Sequence, residues 1–365
     1  MTWSVANWLV AAVVLATHAW LGLQAAQLKR RPGTTVSVLA LLGLGSFLTI
    51  GFEGVLPEAI AVPLIQVAYT WVNLLGLFVG LFVYFQFDAR LWHGLLPAWQ
   101  RQRESAYTAL IFSGVVGVVA VASAMLSPKV VEVNVRLEHV TAPLRIVQIS
   151  DLHLGVFGQN QATLESVIGE VEALEPDVVV ITGDTVDGTV DELWRTTAPL
   201  ATLAHRVPTY MVLGNHENRW GQEEWAKEFQ RLGVRVLRND AVWLHEQAIW
   251  LAGVDDIDSP TYDLDLALDE VDPSVATILL AHQPRVVTEA ARYGVDLVLA
   301  GHTHGGQIFP FGWTLAWVKQ SGYVSGRYRR DDTLLYVNSG TGWGGAPLRL
   351  GTRAEITLLH VRGYD

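Results

Sequence analysis

The segment Asp296–Gly306 reads DLVLAGHTHGG, an apolar run followed at once by two histidines among glycines. A short apolar run of this kind predicts a buried strand, and the polar residues after it predict a loop at the strand's end. Loops at strand ends commonly carry binding and catalytic side chains. The segment therefore predicts a functional site at one edge of a β-sheet.

Four more short apolar runs are each followed by a polar cluster. The runs are Arg145–Ser150, Asp177–Thr182, Thr209–Leu213 and Ala276–Ala281, and the clusters after them are Asp151-Leu152-His153, Gly183-Asp184, Gly214-Asn215-His216-Glu217 and His282. Five of the eleven histidines fall in the five clusters, although these occupy a small fraction of the chain. If the strands lie side by side, their ends bring Asp, Asn and His side chains together, which predicts a metal cage.

The residue types in these clusters suit metal binding. Asp151 and His153 are two residues apart, so in strand geometry both point to the same side and reach one ion. Gly183 lets the backbone turn sharply and leaves the Asp184 carboxylate room to bridge two ions. The other donors are an amide oxygen and imidazole nitrogens, from Asn215, His282, His302 and His304. Such donors favour manganese, iron or zinc over calcium.

Composition excludes several classes of function. The chain has no cysteine, which excludes disulfides, thiolate zinc sites and a cysteine nucleophile. The formal net charge is −11, and the excess of acidic residues lies in Lys129–Asp365. By bulk charge this part of the chain does not bind nucleic acid.

The first third of the chain is apolar enough to lie in a membrane. Pro128 interrupts the last apolar run, so we predict a transmembrane domain over residues 1–128 and a second domain over residues 129–365. Each predicted span is about as long as a helix needs to cross a hydrocarbon core of ~30 Å. The four spans are Trp8–Leu28, Thr34–Phe52, Ala59–Phe87 and Ala106–Leu126.

Charges in the connecting loops predict the orientation, because cytoplasmic loops collect Lys and Arg. The second loop carries only Glu53 and Glu58. The first and third loops are basic, through Lys29, Arg30 and Arg31 and through Arg90, Arg101 and Arg103. We therefore expect a multi-pass protein of the cell membrane with its large domain outside the cytoplasm.

The five clusters, in this order, resemble the motif series of the calcineurin-like metallophosphoesterases over about Leu144–Leu359. Gly301–Ile308 (GHTHGGQI), Tyr323–Gly326 (YVSG) and Leu335–Val337 (LYV) are similar to the bacterial membrane-anchored branch. The resemblance implies an α/β fold, in which the four transmembrane helices precede a β-sandwich of two sheets flanked by helices.

The resemblance also implies two divalent metal ions, Mn, Fe or Zn. It assigns Asp151, His153, Asp184 and His304 to the first ion, and Asp184, Asn215, His282 and His302 to the second, with Asp184 bridging. Hydrolysis would then use a metal-bridging hydroxide and no covalent enzyme intermediate. His216 would be catalytic, stabilising charge on the phosphoryl oxygens or protonating the leaving group. Asp187 and Glu217 either orient neighbouring histidines through hydrogen bonds or are loop-surface carboxylates or helix N-terminal acids.

The apolar segment Ile308–Val318 follows the last motif and contains two Phe and two Trp residues. It either contacts lipid or caps the sandwich core. We predict a membrane-anchored hydrolase of a phosphodiester or pyrophosphate in a lipid headgroup, with the phosphate ester and the bilayer as its partners. The alternatives are a phosphodiesterase for soluble nucleotides or wall fragments, and a non-catalytic membrane receptor or scaffold.

The orientation leads to a first testable prediction. A reporter that is active only outside the cytoplasm should be active when fused after Asp365, because both basic loops belong inside. The measurement is reporter activity in intact cells, beside a matched fusion in the loop at Arg101. Activity of a cytoplasm-only reporter at Asp365 would contradict the assignment.

Overall fold

The computed structural model describes residues 98–155 and 159–364. The chain divides into two compact units, with the division after Ala122. Within the described residues, one helix is long and apolar enough to cross a membrane by length and composition, over Tyr107–Ala124 of α1 (Ala98–Ala124). It coincides with the predicted fourth span. The other three predicted spans, Trp8–Leu28, Thr34–Phe52 and Ala59–Phe87, lie outside the described residues.

The second unit contains two six-stranded mixed sheets. The first consists, in spatial order, of β1 (Lys129–Arg136), β12 (Glu355–Arg362), β2 (Leu144–Ile149), β3 (Val178–Thr182), β4 (Thr209–Val212) and β5 (Arg235–Val236). The second consists of β10 (Gly326–Arg330), β11 (Thr333–Val337), β9 (Leu297–Ala300), β8 (Ala276–Leu280), β7 (Ile249–Gly253) and β6 (Asp240–Leu244).

Helices connect most of the parallel strands. They are α2 (Gln161–Ala173), α3 (Val190–Thr197), α4 (Leu200–Arg206), α5 (Asn215–Trp220), α6 (Gln222–Arg231), α7 (Leu264–Leu268), α8 (Val287–Ala290) and α9 (Phe311–Lys319). Short 3-10 turns cover Pro284–Val286, Ala291–Tyr293 and His304–Gly306.

The core has layers because successive strand side chains point to opposite faces. Ile146 of β2 packs between the sheets with Ile278 and Leu299 of the second sheet. Its neighbour Val147 packs on the helical side with Phe229 of α6. A third buried cluster joins the other face of the second sheet to α7 and α8. Strands buried on both faces must be apolar throughout, which explains the apolar runs in the sequence.

The strand directions place the polar clusters together. β2, β3 and β4 pair in parallel, and so do β7, β8, β9 and β11. Parallel strands end at the same edge of a sheet, and the polar clusters follow β2, β3, β4, β8 and β9. The main-chain N–H of His302 donates to Asp151, and the His282 ring contacts the main-chain oxygen of Thr182, so the edges of the two sheets meet.

β12 occupies an unexpected position in the first sheet. It pairs in parallel with β1 over eight residues from Lys129↔Glu355 to Arg136↔Arg362, and antiparallel with β2 on its other side. β1, the first strand of the domain, therefore joins the sheet only through β12, the last strand in sequence.

Candidate metal centre

Six of the seven predicted metal-ligating side chains form two groups at the shared edge. Within each group the potential ligand atoms all lie within 4.8 Å of one another. The first group is Asp151, His153 and His304, and the second is Asp184, His282 and His302. The seventh, Asn215, joins the second group, with its side-chain oxygen 3.1 Å from His282 Nε2.

Asp184 lies between the two groups. Its Oδ2 is 3.1 Å from His282 Nε2 and 3.9 Å from His153 Nε2. Its Oδ1 accepts a hydrogen bond of 2.9 Å from the main-chain N–H of His216. Burial opposes ionisation, but His282 and His216 hold the pKa of Asp184 well below its usual value. This carboxylate is therefore charged and positioned to bridge two ions.

In His282 and His153, a hydrogen bond at Nδ1 leaves Nε2 available as a metal ligand. Nε2 is the ring nitrogen that faces the site. His282 Nδ1 lies 2.8 Å from the Thr182 carbonyl oxygen, which can only accept, so Nδ1 carries the proton. His153 Nδ1 is likewise 2.9 Å from the Asp187 carboxylate. Such partners fix the tautomer of metal-binding histidines.

The histidine nitrogens that face the site lie close to one another. His153 Nε2 lies 3.0 Å from His304 Nε2, and His282 Nε2 lies 3.0 Å from His302 Nδ1. Two lone pairs at this distance repel unless a proton or a cation lies between them. Burial lowers the pKa of His304 and brings that of His302 to about 3, with the neighbouring His153 and His282 rings acting in the same direction, so both rings are neutral. The residues present therefore fit a pair of divalent cations.

Five of the predicted ligands have left-handed backbone conformations. The φ angles are between 47° and 70° at Asp151, His153, Asp184, His302 and His304. Such residues cost ~1–3 kcal/mol each and cluster at functional sites. Strand geometry therefore does not explain the Asp151–His153 pair as predicted, because β2 has ended at Ile149 and a turn directs both side chains inward.

Asp187 contacts two histidines at once. Its Oδ2 is 2.9 Å from His153 Nδ1, and its Oδ1 bonds to His216 Nδ1. Burial acts to raise its pKa, but His153 and His216 lower it below the usual range. The structure thus favours an orienting role for Asp187 over that of a surface acid.

Glu217 is fully buried in the first turn of α5, where it accepts from the N-cap amide of Gly214, so of the predicted alternatives it is the helix N-terminal acid. Its carboxylate accepts hydrogen bonds from the main-chain N–H groups of Gly214 at 2.7 Å, Asp184 at 3.0 Å and Thr185 at 2.6 Å, and a longer one from Val186. It is neither a surface acid nor an orienting partner for a histidine ring. It holds the turns after β3 and β4 together.

His216 lies in the first turn of α5 and is partly open to solvent. Its side chain is 27% exposed, whereas His153 is 2% and His282 0% exposed. With Nδ1 bonded to Asp187, its Nε2 faces the site, 3.8 Å from Asp184 Oδ2. Burial opposes protonation, but Asp184 and Asp187 raise the pKa of His216 to about 9. The ring is placed to donate a proton to a bound molecule.

Residues 144–306 match the calcineurin-like phosphoesterase family. The chain is also 36% identical over 232 residues to an uncharacterized metallophosphoesterase of Aquifex aeolicus, covering 60% of this chain and 85% of that protein. The chain belongs to the calcineurin-like phosphoesterases. This family uses a dinuclear divalent metal centre, so the predicted family and cofactors are confirmed.

Two further relatives are longer than the region they share with this chain. A "Transmembrane protein with metallophosphoesterase domain" of Bos taurus is 38% identical over 274 residues, covering 69% of this chain and 61% of the relative. An uncharacterized metallophosphoesterase of Helicobacter pylori is 36% identical over 241 residues, covering 64% of each chain. The chain thus spans less than two thirds of these relatives.

Sequence reasoning missed two residues in the loop between β11 and β12. A Cβ on Gly344 would lie 3.2 Å from His304 Nε2 and 3.3 Å from His153 Nε2, so any side chain there would crowd the first group of ligands. The glycine-rich run Ser339–Gly345 (SGTGWGG) was a signal that could have indicated this close approach.

Arg349 is the second missed residue. Its guanidinium is completely buried, and burial lowers its pKa to about 10. It donates to the main-chain oxygens of His304, Ser339, Gly340 and Gly342. It therefore fastens the glycine-rich loop to the turn that carries His304, and nothing in the sequence distinguishes it from a surface arginine.

Gly344→Ala should remove metal selectively from the first group. The added methyl group crowds His153 and His304 but does not reach the second group, so metal content should fall from about two ions per chain towards one. The measurement is elemental analysis after dialysis. The control is Gly169→Ala in α2, where a Cβ meets nothing within 4 Å. Two retained ions in Gly344→Ala would contradict the geometry.

Arg349→Met should lower stability strongly. The carbonyl groups of Ser339 and Gly342 lose the donor described for them, which costs ~1–3 kcal/mol each, whereas those of His304 and Gly340 keep a main-chain donor. The measurement is the thermal unfolding midpoint of the detergent-solubilised chain. Arg329→Met, on the exposed side of β10, is the control and should change the midpoint little. Equal midpoints for the two variants would contradict the role given to Arg349.

Proposed function

We propose that this chain is a membrane-anchored di-metal hydrolase of a phosphodiester or pyrophosphate in a lipid headgroup. The observation that carries the proposal is the pair of buried ligand groups joined by the Asp184 carboxylate. We assign Asp151, His153, Asp184 and His304 to the first ion, and Asp184, Asn215, His282 and His302 to the second.

Two divalent cations in such a site stabilise the attacking and leaving oxygens of a phosphate ester and make a water molecule nucleophilic near neutral pH. The protein holds the donor atoms in place before substrate binds. Asp187 and the Thr182 carbonyl orient His153 and His282, and Glu217 fixes the turn of Asp184. This rigidity supports catalysis because the ligands need little rearrangement.

His216 supplies the proton in this proposal. Asp187 accepts from its Nδ1, which leaves Nε2 directed towards the bound ester. A protonated ring at this position hydrogen-bonds a phosphoryl oxygen or protonates the leaving oxygen. General acid catalysis by a placed histidine contributes ~10²–10⁴-fold to the rate.

The membrane anchor supports a substrate in a lipid headgroup. α1 has the length and composition of a membrane span, and the bovine relative is named as a transmembrane protein. The basic loops of the sequence support an extracytoplasmic site. Phosphate esters at the outer membrane surface are then the substrates within reach of the metal centre.

Turnover by the detergent-purified chain tests this proposal. With Mn²⁺, the chain should hydrolyse a bis-aryl phosphate, and a chelator should abolish this turnover. Asp184→Ala should be inactive because both ions lose a ligand. His216→Gln should lower kcat by ~10²–10⁴-fold with metal content unchanged. His205→Gln, in α4 and outside the clusters, is the control.

A panel of monoesters, diesters and lipid phosphates then identifies the preferred substrate. Preference for soluble nucleotides would contradict the lipid assignment while keeping the hydrolase. No turnover on any substrate, with two ions bound per chain, would contradict the hydrolase and favour a non-catalytic receptor or scaffold.

A further inference from the structure

An exposed apolar surface lies beside the metal centre. We call Phe309–Lys319 the aromatic segment; it consists of the residues leading into α9 and α9 itself. The sequence left open whether its rings cap the core, and the structure leaves those of Phe309, Trp313 and Trp317 exposed. The exposed fractions are 56% for Phe309, 41% for Trp313, 57% for Leu315, 50% for Trp317 and 65% for Val318.

The side chains of this segment suit the surface of a bilayer. Trp313 and Trp317 combine large apolar rings with a polar N–H, a combination enriched where membrane meets water. Lys319 in the last turn is exposed and can approach an anionic headgroup. Clustered exposed apolar side chains of this kind mark an interaction surface.

The length of the chain between α1 and the domain indicates which partner is in reach. α1 ends at Ala124 and β1 begins at Lys129. The residues between them span at most roughly 17 Å when fully extended. If α1 crosses a bilayer, the first strand of the domain lies within that distance of the end of the span, and lipid is the surface always present.

The aromatic segment is fixed to residues beside metal ligands at Trp313 and at Gln320, the residue that follows the segment. A Cβ on Gly306, two residues after His304, would lie 2.5 Å from the Cα of Trp313, so the two backbones are in close contact. Directly after the segment, buried Gln320 donates to Gln283 Oε1 at 3.1 Å, and Gln283 follows His282. The segment is therefore anchored to both ligand groups while its apolar side chains point outward.

We propose that the aromatic segment inserts its apolar side chains into the bilayer surface and so holds the metal centre against phosphate-ester headgroups in the plane of the membrane. This inference rests on the membrane anchoring in the proposed function. Insertion fixes the height of the metal centre above the bilayer, because the segment moves as one piece with the turns of His282 and His304.

The absence of cysteine makes a direct test possible. Leu315→Cys in the full chain is labelled with an environment-sensitive fluorophore and reconstituted into vesicles of phosphatidylcholine and phosphatidylglycerol. The control is Leu266→Cys in α7, which has matched exposure, 58% against 57%. Lipid carrying a nitroxide quencher should reduce the emission at position 315 by roughly twofold or more and leave position 266 nearly unchanged.

Two results of this test would overturn the proposal. Equal quenching at both positions, or none at position 315, would show that the segment does not enter the bilayer. Cross-linking of Leu315→Cys to a second copy, without quenching by lipid, would assign the surface to a chain–chain contact.

Turnover provides a second test with a different readout. The measured quantity is kcat/KM for a vesicle-borne phosphodiester divided by kcat/KM for a soluble bis-aryl phosphate. The double variant Leu315→Ser, Val318→Ser should lower this ratio by about tenfold, because two apolar side chains no longer enter lipid. Leu266→Ser is the control, and an unchanged ratio in the double variant would overturn the proposal. Absence of chelator-sensitive turnover on both substrates would instead defeat the proposed hydrolase, and the fluorescence measurement would still report insertion.

Discussion

The metal centre depends on one buried carboxylate that binds no metal in our assignment. Glu217 accepts four main-chain N–H groups, from Gly214 and from residues 184–186. Buried amides need partners, and these lie in turns that leave the sheet. Glu217 thus holds the turn of Asp184 against the start of α5, together with the hydrogen bond from the His216 N–H to Asp184 Oδ1. The bridge between the ligand groups and the placement of His216 both follow from this contact.

The left-handed backbone conformations at the ligands raise the free energy of the folded domain, and other contacts offset this. Each such turn is unfavourable by itself, yet five of the ligands have one. Hydrogen bonds from the main chain and from Arg349 offset part of this cost. Bound cations would offset more, because ligand atoms whose lone pairs repel one another would then face positive charge. Metal binding and stability are therefore coupled in this domain.

The sequence predicts well the strands and the side chains that come together at the site, and poorly the residues that hold those side chains in place. Strands buried on both faces must be apolar throughout, so β2, β3, β4, β8 and β9 are recognisable without the structure. Few residue types bind metals, which makes the clusters visible. Arg349 is different: its carbonyl partners come from two separate turns, and its complete burial contradicts the usual preference of arginine. The aromatic segment was ambiguous because the same residue types serve a core and a membrane surface.

The position of β12 has a consequence for the order in which the domain is completed. β12 lies between β1 and β2, but it follows every other strand in the sequence. Of the strands of the domain, β1 is synthesised first. It has no partner strand until the rest of the domain, which includes all the predicted ligands, has been synthesised. The pairing between the two ends of the domain therefore cannot form before every predicted ligand has been synthesised.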